Sequence, residues 1–173
     1  QEPYSLAIAL WEKHPALMRA GRVRIFATDI APTMVARTRA GRFSALEVNR
    51  GLPARYLVRY FEQSGTDWVA RPELRSVIDA RELNLTGPWT GVPRCDLVWL
   101  RNVLIYFSPE TKADVLGRVR REVLKPGGYL FLGASETTLN VDDNYVRREV
   151  GRSICYQIPD GRSAASLRPE AKP

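Results

Sequence analysis

Polar side chains follow a long apolar stretch in the middle of this 173-residue sequence. Residues 97–100 are apolar, and Arg101, Asn102 and Tyr106 come soon after them. Arginine can bind a carboxylate through two hydrogen bonds, and a tyrosine hydroxyl can orient the same group. Ligands of open α/β sheets bind beyond the carboxyl ends of the strands. We therefore expect these three side chains at a ligand-binding edge, although an arginine paired with a nearby acid and a merely packing tyrosine would also fit.

A second candidate residue, Asp29, ends the first clear strand pattern, residues 22–29. An acid at the carboxyl end of a strand is how Rossmann-like folds hold the hydroxyls of a ribose. An aspartate close to Pro32 could equally well cap the helix predicted over residues 33–40, which Gly41 should end. Spacing alone favours neither role.

The elements that would position these residues indicate an α/β fold. The apolar run at residues 97–100 shows no alternation, which is typical of a central parallel strand covered on both faces. Helices are predicted from Glu2-Pro3 through residue 14, and from Ser108-Pro109 through residue 124. Residues 125–128, Lys-Pro-Gly-Gly, should end the second helix before a buried strand at residues 129–133.

A small antiparallel insert is predicted at residues 52–80. It comprises a helical start, a turn near Gly65, and two short strands at residues 66–70 and 74–79. An exposed edge strand in it could accept a peptide, and a purely structural insertion is the equal alternative. From Pro159 onward the sequence has little to bury, so we expect a flexible tail over residues 159–173.

Composition argues against several functional classes. His14 is the only histidine, and Cys95 and Cys155 are far apart, so we expect no metal site. The net charge of +7 comes from arginines scattered along the chain, which favours a solvated surface over a nucleic-acid interface. The apolar runs are too short for membrane insertion, and no signal-peptide pattern is present.

Several stretches taken together resemble the CheR proteins, S-adenosylmethionine-dependent protein-glutamate O-methyltransferases of chemotaxis. The resemblance extends over residues 1–158 in unbroken order. It is strongest in Arg-Asn-Val-Leu-Ile-Tyr-Phe, combined with Glu-Pro-Tyr-Ser at the matching distance. The matching stretches are residues 2–5, 27–30, 84–85, 101–107, 125–128 and 133–136.

The resemblance implies a Rossmann-like class I methyltransferase sheet, truncated at its amino terminus and carrying the small antiparallel β insert. It implies one catalytic domain over residues 1–158, S-adenosylmethionine as methyl donor with S-adenosylhomocysteine as product, and no metal. The implied substrate is the cytoplasmic domain of chemotaxis receptors, modified in the cytoplasm, with a receptor tail peptide bound on residues 52–80 in some members. The implied catalytic residues are Arg101 and Tyr106, and the implied cofactor-binding residues are Glu2, Asp29, Asn84, Leu85, Leu100, Arg101 and Asn102.

The Gly-rich turn and the helical domain that precede Glu-Pro-Tyr-Ser in the family are not in this sequence. We therefore expect the 173-residue chain itself to bind the cofactor weakly. A methyltransferase for another protein or for a small carboxylate, and a non-catalytic regulatory module of the same fold, are the alternative functions.

Overall fold

A computed structural model describes residues 1–151 and 153–159 of the chain. The predicted tail lies outside the described residues, apart from Pro159. The chain divides into two compact units, Gln1–Gly87 and the residues from Pro88 onward. Within the described residues no helix is long and apolar enough to span a bilayer.

The first unit contains a parallel strand pair and a small antiparallel sheet. Strands β1 and β5 pair in parallel, with Asp29 opposite Glu82 at their carboxyl ends. Strands β2, β3 and β4 form the antiparallel sheet in the order β2-β4-β3. The elements in chain order are α1 (Glu2–Lys13), α2 (Pro15–Arg19), β1 (Ile25–Asp29), α3 (Pro32–Ala40), β2 (Arg42–Ser44), α4 (Ala45–Val48), α5 (Ala54–Tyr60), β3 (Phe61–Ser64), β4 (Asp67–Ala70), α6 (Pro72–Arg75) and β5 (Ile78–Glu82).

The helix boundaries of this unit follow from local sequence signals. Helix α1 begins at Glu2 with a proline in its first turn, as predicted. Helix α3 ends at Gly41, which has a φ of 61°. A Cβ atom there would lie 2.6 Å from the Tyr4 hydroxyl oxygen, so glycine is required for both space and conformation.

The core of the first unit lies between α1 and the antiparallel sheet. Tyr4 and Phe43 pack edge to face with their ring centroids 5.2 Å apart, and Phe43 and Phe61 do so at 5.8 Å. The buried side chains of this core are Tyr4, Ala7, Ile8, Phe43, Val48, Tyr60, Phe61, Ala70 and Leu74.

The predicted strand at residues 74–79 is wrong. Pro72 starts α6, Leu74 is fully buried in the core, and β5 begins only at Ile78. Because β5 pairs with β1, the antiparallel sheet is drawn from residues 42–70, and the predicted bounds of 52–80 do not match it.

The second unit contains a four-stranded mixed sheet in the order β6-β7-β9-β8. Strands β6 and β7 are parallel, and the other two pairs are antiparallel. Helix α7 and the π-helical turn after it connect β6 to β7 and bury Val115, Leu116, Val119 and Val123. The elements are β6 (Cys95–Leu100), α7 (Pro109–Arg118), β7 (Leu124–Leu132), β8 (Val146–Val150) and β9 (Ser153–Gln157).

Two predictions in this unit are wrong. Among the described residues, β6 stands first in its sheet rather than centrally, and its Leu97 and Trp99 are 40% and 42% exposed rather than covered. An unbroken apolar run does not reveal the strand order of a sheet. The strand predicted to begin at residue 129 begins earlier, because Leu124 already pairs with Cys95 as the first residue of β7, whereas the helical stretch before it ends at Val123, one residue short of the prediction. The Lys-Pro-Gly-Gly stretch lies inside that strand.

Candidate functional site

The carboxyl ends of β1 and β5 form the candidate site of the first unit. The Leu83 amide donates a hydrogen bond to the Asp29 carbonyl oxygen over 3.0 Å, so the turn after β5 lies beside the end of β1. Asn84 and Leu85 follow in that turn. The structure therefore brings three of the predicted residues, Asp29, Asn84 and Leu85, to one edge.

Asp29 is exposed, and its Oδ1 accepts the backbone amide of Ala31 over 2.9 Å. This bond shapes the turn into α3 but does not cap the helix, because the N-cap residue is Ala31 and no side chain bonds there. The bond uses only one carboxylate oxygen. The geometry is compatible with a carboxylate that also accepts hydrogen bonds from the hydroxyl groups of a ligand.

The turn after β5 is held by its own side chains. Asn84 Oδ1 accepts hydrogen bonds from the Thr86 amide over 3.0 Å and from the Thr86 hydroxyl over 2.9 Å. Leu85 is half-buried next to the exposed Asn84. Glu2, the remaining candidate of this unit, is the exposed first residue of α1.

The candidate residues of the second unit lie on the loop that follows β6. Leu100 is buried at the end of the strand, with 9% of its surface exposed. The Arg101 guanidinium lies 5.8 Å from the ring centroid of Trp99, within cation–π range. Tyr106 ends a short 3₁₀ turn, Leu104–Tyr106, and is 80% exposed. The structure thus places Arg101 and Tyr106 at the two ends of one short loop.

Asn102 adopts a left-handed backbone conformation with a φ of 57°. Asparagine tolerates this conformation better than most residues, but an unsupported loop would rarely hold it. The support comes from Glu136, a residue that the sequence reasoning did not include in the site. Its carboxylate accepts the Asn102 amide over 2.7 Å and the Leu104 amide over 2.8 Å.

Hydrogen bonding favours the ionised form of Glu136. Burial would raise the pKa of its carboxyl group, but the backbone amides of Asn102, Gly133, Ile105 and Leu104 outweigh burial and lower it below 4.5. A signal for Glu136 was present in the sequence. It follows the buried strand next to β6, and the carboxyl ends of parallel neighbours meet at one edge.

Comparison with known proteins shows which family this chain matches. A family model described as "CheR methyltransferase, SAM binding domain" matches residues 1–153. The chain belongs to this family. The predicted resemblance and the class I methyltransferase fold are therefore confirmed.

Three relatives illustrate the similarity. Chemotaxis protein methyltransferase 1 of Pseudomonas aeruginosa is 43% identical over 161 residues. Chemotaxis protein methyltransferase Cher2 of Pseudomonas putida is 39% identical, and the chemotaxis protein methyltransferase of Vibrio parahaemolyticus is 35% identical. In each case the match covers 91% of this chain and 58% of the relative. The chain therefore spans a little over half the length of these relatives.

Proposed function

We propose that the natural full-length protein transfers a methyl group from S-adenosylmethionine to glutamate side chains of chemotaxis receptors. The observation that carries the proposal is the short loop with Arg101 at one end and Tyr106 at the other, in a chain of the CheR family. The product would be a glutamyl methyl ester, formed in the cytoplasm.

The edge of the first unit would bind the adenosine part of the methyl donor. Asp29 would accept hydrogen bonds from the two ribose hydroxyls, because its Oδ2 is not used by the Ala31 bond. Asn84 and the backbone of Leu85 would frame the adenine. Glu2 would contribute a further polar contact from the start of α1.

The loop of the second unit would bind the methionine end of the donor and the acceptor carboxylate. Leu100 and Asn102 would line the methionine end. Arg101 would hold the glutamate carboxylate, and the exposed Tyr106 hydroxyl would orient one of its oxygens.

The residue types suit this reaction. S-adenosylmethionine supplies a methyl group on a positively charged sulfur, which an oxygen nucleophile displaces. A glutamate carboxylate is already ionised at neutral pH, so the protein needs neither a general base nor a metal to activate it. What Arg101 and Tyr106 must supply is alignment, which can account for a large part of a rate enhancement.

Transfer of a labelled methyl group from S-adenosylmethionine to a purified receptor cytoplasmic domain tests the proposal. We expect label in the receptor that alkali releases as methanol, the signature of a methyl ester. Label in a small acid but not in the receptor would favour a different substrate. Absence of turnover with receptor binding intact would favour a non-catalytic module.

We further propose that the β3 edge binds a receptor tail peptide by strand addition. Among the described residues β3 pairs only with β4, so its other edge has no strand beside it. Gly65, with a φ of 64°, lies in the two-residue turn between Ser64 and Asp67. In such a hairpin the pair next to the turn, Ser64 and Asp67, exchanges backbone hydrogen bonds. Hydrogen-bonded and non-hydrogen-bonded pairs alternate along antiparallel strands. The next pair, Gln63 and Trp68, is therefore non-hydrogen-bonded, and the N–H and C=O of Gln63 point to the open edge.

Calorimetry with the carboxyl-terminal peptide of a receptor tests this surface. Gln63→Pro removes the outward N–H, and we expect it to abolish peptide binding while the hairpin remains folded. Gln63→Ala keeps the backbone donor and should still bind. Binding unaffected by Gln63→Pro would exclude this edge.

A further inference from the structure

The Glu136 carboxylate binds an unusually dense set of backbone amides. Both of its oxygens are used, and no lysine or arginine is among these partners. Oε1 accepts from Val103 over 2.9 Å, Leu104 over 2.8 Å and Ile105 over 3.3 Å, and Oε2 accepts from Asn102 over 2.7 Å and Gly133 over 2.7 Å.

The amides of residues 102–105 are consecutive, and they converge on one carboxylate. Such a concave run of N–H groups is an anion-binding nest, in which one residue has a left-handed conformation. Asn102, with a φ of 57°, is that residue. Without an anion these converging N–H groups would have no acceptor. The free-energy cost of the unpaired donors would then favour a different loop conformation.

Gly133 allows the carboxylate to approach this closely. A Cβ atom at this position would lie 2.7 Å from Glu136 Oε2 and 3.0 Å from the Asn102 side-chain nitrogen. The carboxylate is therefore clamped between the end of β7, which ends at Leu132, and the loop after β6.

We propose that Glu136 is the positioning residue of the methyl-transfer site, and that it acts by fixing the loop between Arg101 and Tyr106. This inference rests on the proposed function, since it concerns the residues assigned there to the acceptor carboxylate. Glu136 would touch neither substrate. Its role is to set the spacing of the Arg101 guanidinium and the Tyr106 hydroxyl through the backbone that joins them.

The spacing matters because aligned displacement is sensitive to small errors. A displacement of about 1 Å in a positioning element can lower a rate about 100-fold. Loss of the Glu136 carboxylate releases four consecutive amides of a loop that contains only a short 3₁₀ turn. We therefore expect kcat to fall far more than the KM for S-adenosylmethionine rises.

The experiment compares Glu136→Gln and Glu136→Ala with wild type in the natural full-length protein. Two readouts are taken, methyl transfer to the receptor domain and hydrogen exchange of the amides of residues 102–105. We expect exchange at these amides to accelerate at least about ten-fold, and kcat to fall about 100-fold. Glu149→Gln is the matched control, because Glu149 is an exposed glutamate of the same unit that pairs with Arg147 over 2.8 Å.

Chemical rescue separates positioning from general loss of structure. In Glu136→Ala the nest has room for a small carboxylate, so added acetate should restore both slow exchange and part of the rate, with saturation. Chloride at the same ionic strength should restore neither. If the alanine variant does not fold, Glu136→Asp takes its place, and we expect intermediate exchange because the shorter side chain reaches fewer amides.

Two results would overturn the proposal. Unchanged exchange at residues 102–105 in the variants would show that Glu136 does not hold the loop. Accelerated exchange with an unchanged rate would show that loop order does not govern transfer. Failure of the proposed function would look different, because wild type itself would then methylate no receptor while the exchange difference at the loop persisted.

Discussion

The Leu83 amide donates to the Asp29 carbonyl oxygen over 3.0 Å, one residue beyond the last register pair of β1 and β5. This bond ties the turn after β5 to the end of β1. The Asp29 side chain and the turn that contains Asn84 therefore lie at one edge of the strand pair. Substitutions of the Asp29 side chain can test ligand binding there without removing the backbone bond.

Asp29→Asn should weaken S-adenosylhomocysteine binding by about ten-fold or more, equivalent to about 1.4 kcal/mol. An asparagine Oδ1 can still accept the Ala31 amide, so the turn into α3 should survive. The side-chain nitrogen of asparagine cannot accept a hydrogen bond, so the side chain can no longer bind two ribose hydroxyls through both of its terminal atoms. Calorimetry on the natural full-length protein measures the change.

Asp67→Asn is the control for this experiment. Asp67 lies in the same unit, on the antiparallel sheet, and pairs with Arg42 over 3.2 Å. Its substitution removes one carboxylate without changing the β1 edge, so affinity should stay within about two-fold of wild type. Equal losses in the two variants would argue against a specific role for Asp29.

Tyr106→Phe should lower methyl transfer by about ten-fold while changing the free energy of unfolding by less than about 0.5 kcal/mol. The side chain is 80% exposed, so its hydroxyl can be removed without leaving a buried group unpaired. Turnover of the receptor domain and urea unfolding are the two measurements. Tyr129→Phe, on β7 with the side chain 38% exposed, should change neither.

Local chemistry made several elements predictable from sequence. The Ser108 hydroxyl caps α7 by accepting the Thr111 amide over 3.3 Å, and Gly41 ends α3 in a left-handed conformation. Caps and glycine stops depend on neighbours within four residues, so they are visible in the chain itself. The same holds for Asp29, whose place at the end of β1 follows from one strand pattern.

Long-range relationships were not predictable in this way. An apolar residue such as Leu74 fits a buried strand and a buried helix equally well, so its type does not distinguish the two. Leu74 lies in helix α6, where it is buried in the core of the first unit. The sequence shows that Glu136 follows a buried strand, but Glu136 gains its role only because that strand, β7, ends beside the loop after β6. Such juxtaposition depends on sheet pairing between residues more than 30 positions apart, which spacing does not encode.

Gly133→Ala should destabilise the second unit by about 1–3 kcal/mol, because its Cβ would overlap Glu136 Oε2 at 2.7 Å. The clash involves a carboxylate fixed by five amides, so it cannot move aside cheaply. Urea unfolding followed by circular dichroism gives the loss. Methyl transfer should fall as well, since the loop from Arg101 to Tyr106 would shift.

Gly117→Ala provides the contrast for that measurement. Gly117 is buried within α7, and the three side-chain atoms nearest its added Cβ would all belong to the Arg121 guanidinium, with Nη1 at 2.7 Å. A long flexible side chain can move away, and alanine is a better helix former than glycine by about 1 kcal/mol. The variant should be as stable as wild type or more stable. Destabilisation equal to that of Gly133→Ala would contradict the reasoning.

Acid should destabilise the second unit through Asp142 as well as through Glu136. Burial would raise the pKa of Asp142, but hydrogen bonds from Asn144 and Arg120 outweigh it and lower the pKa below 3.8. A carboxyl group whose pKa is lower in the folded state stabilises that state above its unfolded pKa. This stabilisation is lost as protons bind. The free energy of unfolding should therefore be flat at neutral pH and fall as the pH drops below about 4.

Asp142→Asn tests this source of acid sensitivity. Asp142 is only 8% exposed, and its Oδ2 accepts from Arg120 Nε over 3.0 Å. We expect the variant to lose about 1.5–3 kcal/mol at neutral pH, the value of a hydrogen bond to a charged group. As the pH falls below about 4 the wild-type curve should bend toward that of the variant, because the unfolded state binds a proton at Asp142 first and the folded state, with its lowered pKa, only at still lower pH. Urea unfolding over a pH series measures both curves, and Glu122→Gln, with its side chain 51% exposed, should follow wild type. Parallel curves for wild type and Asp142→Asn down to about pH 3 would show that Asp142 is not the titrating group.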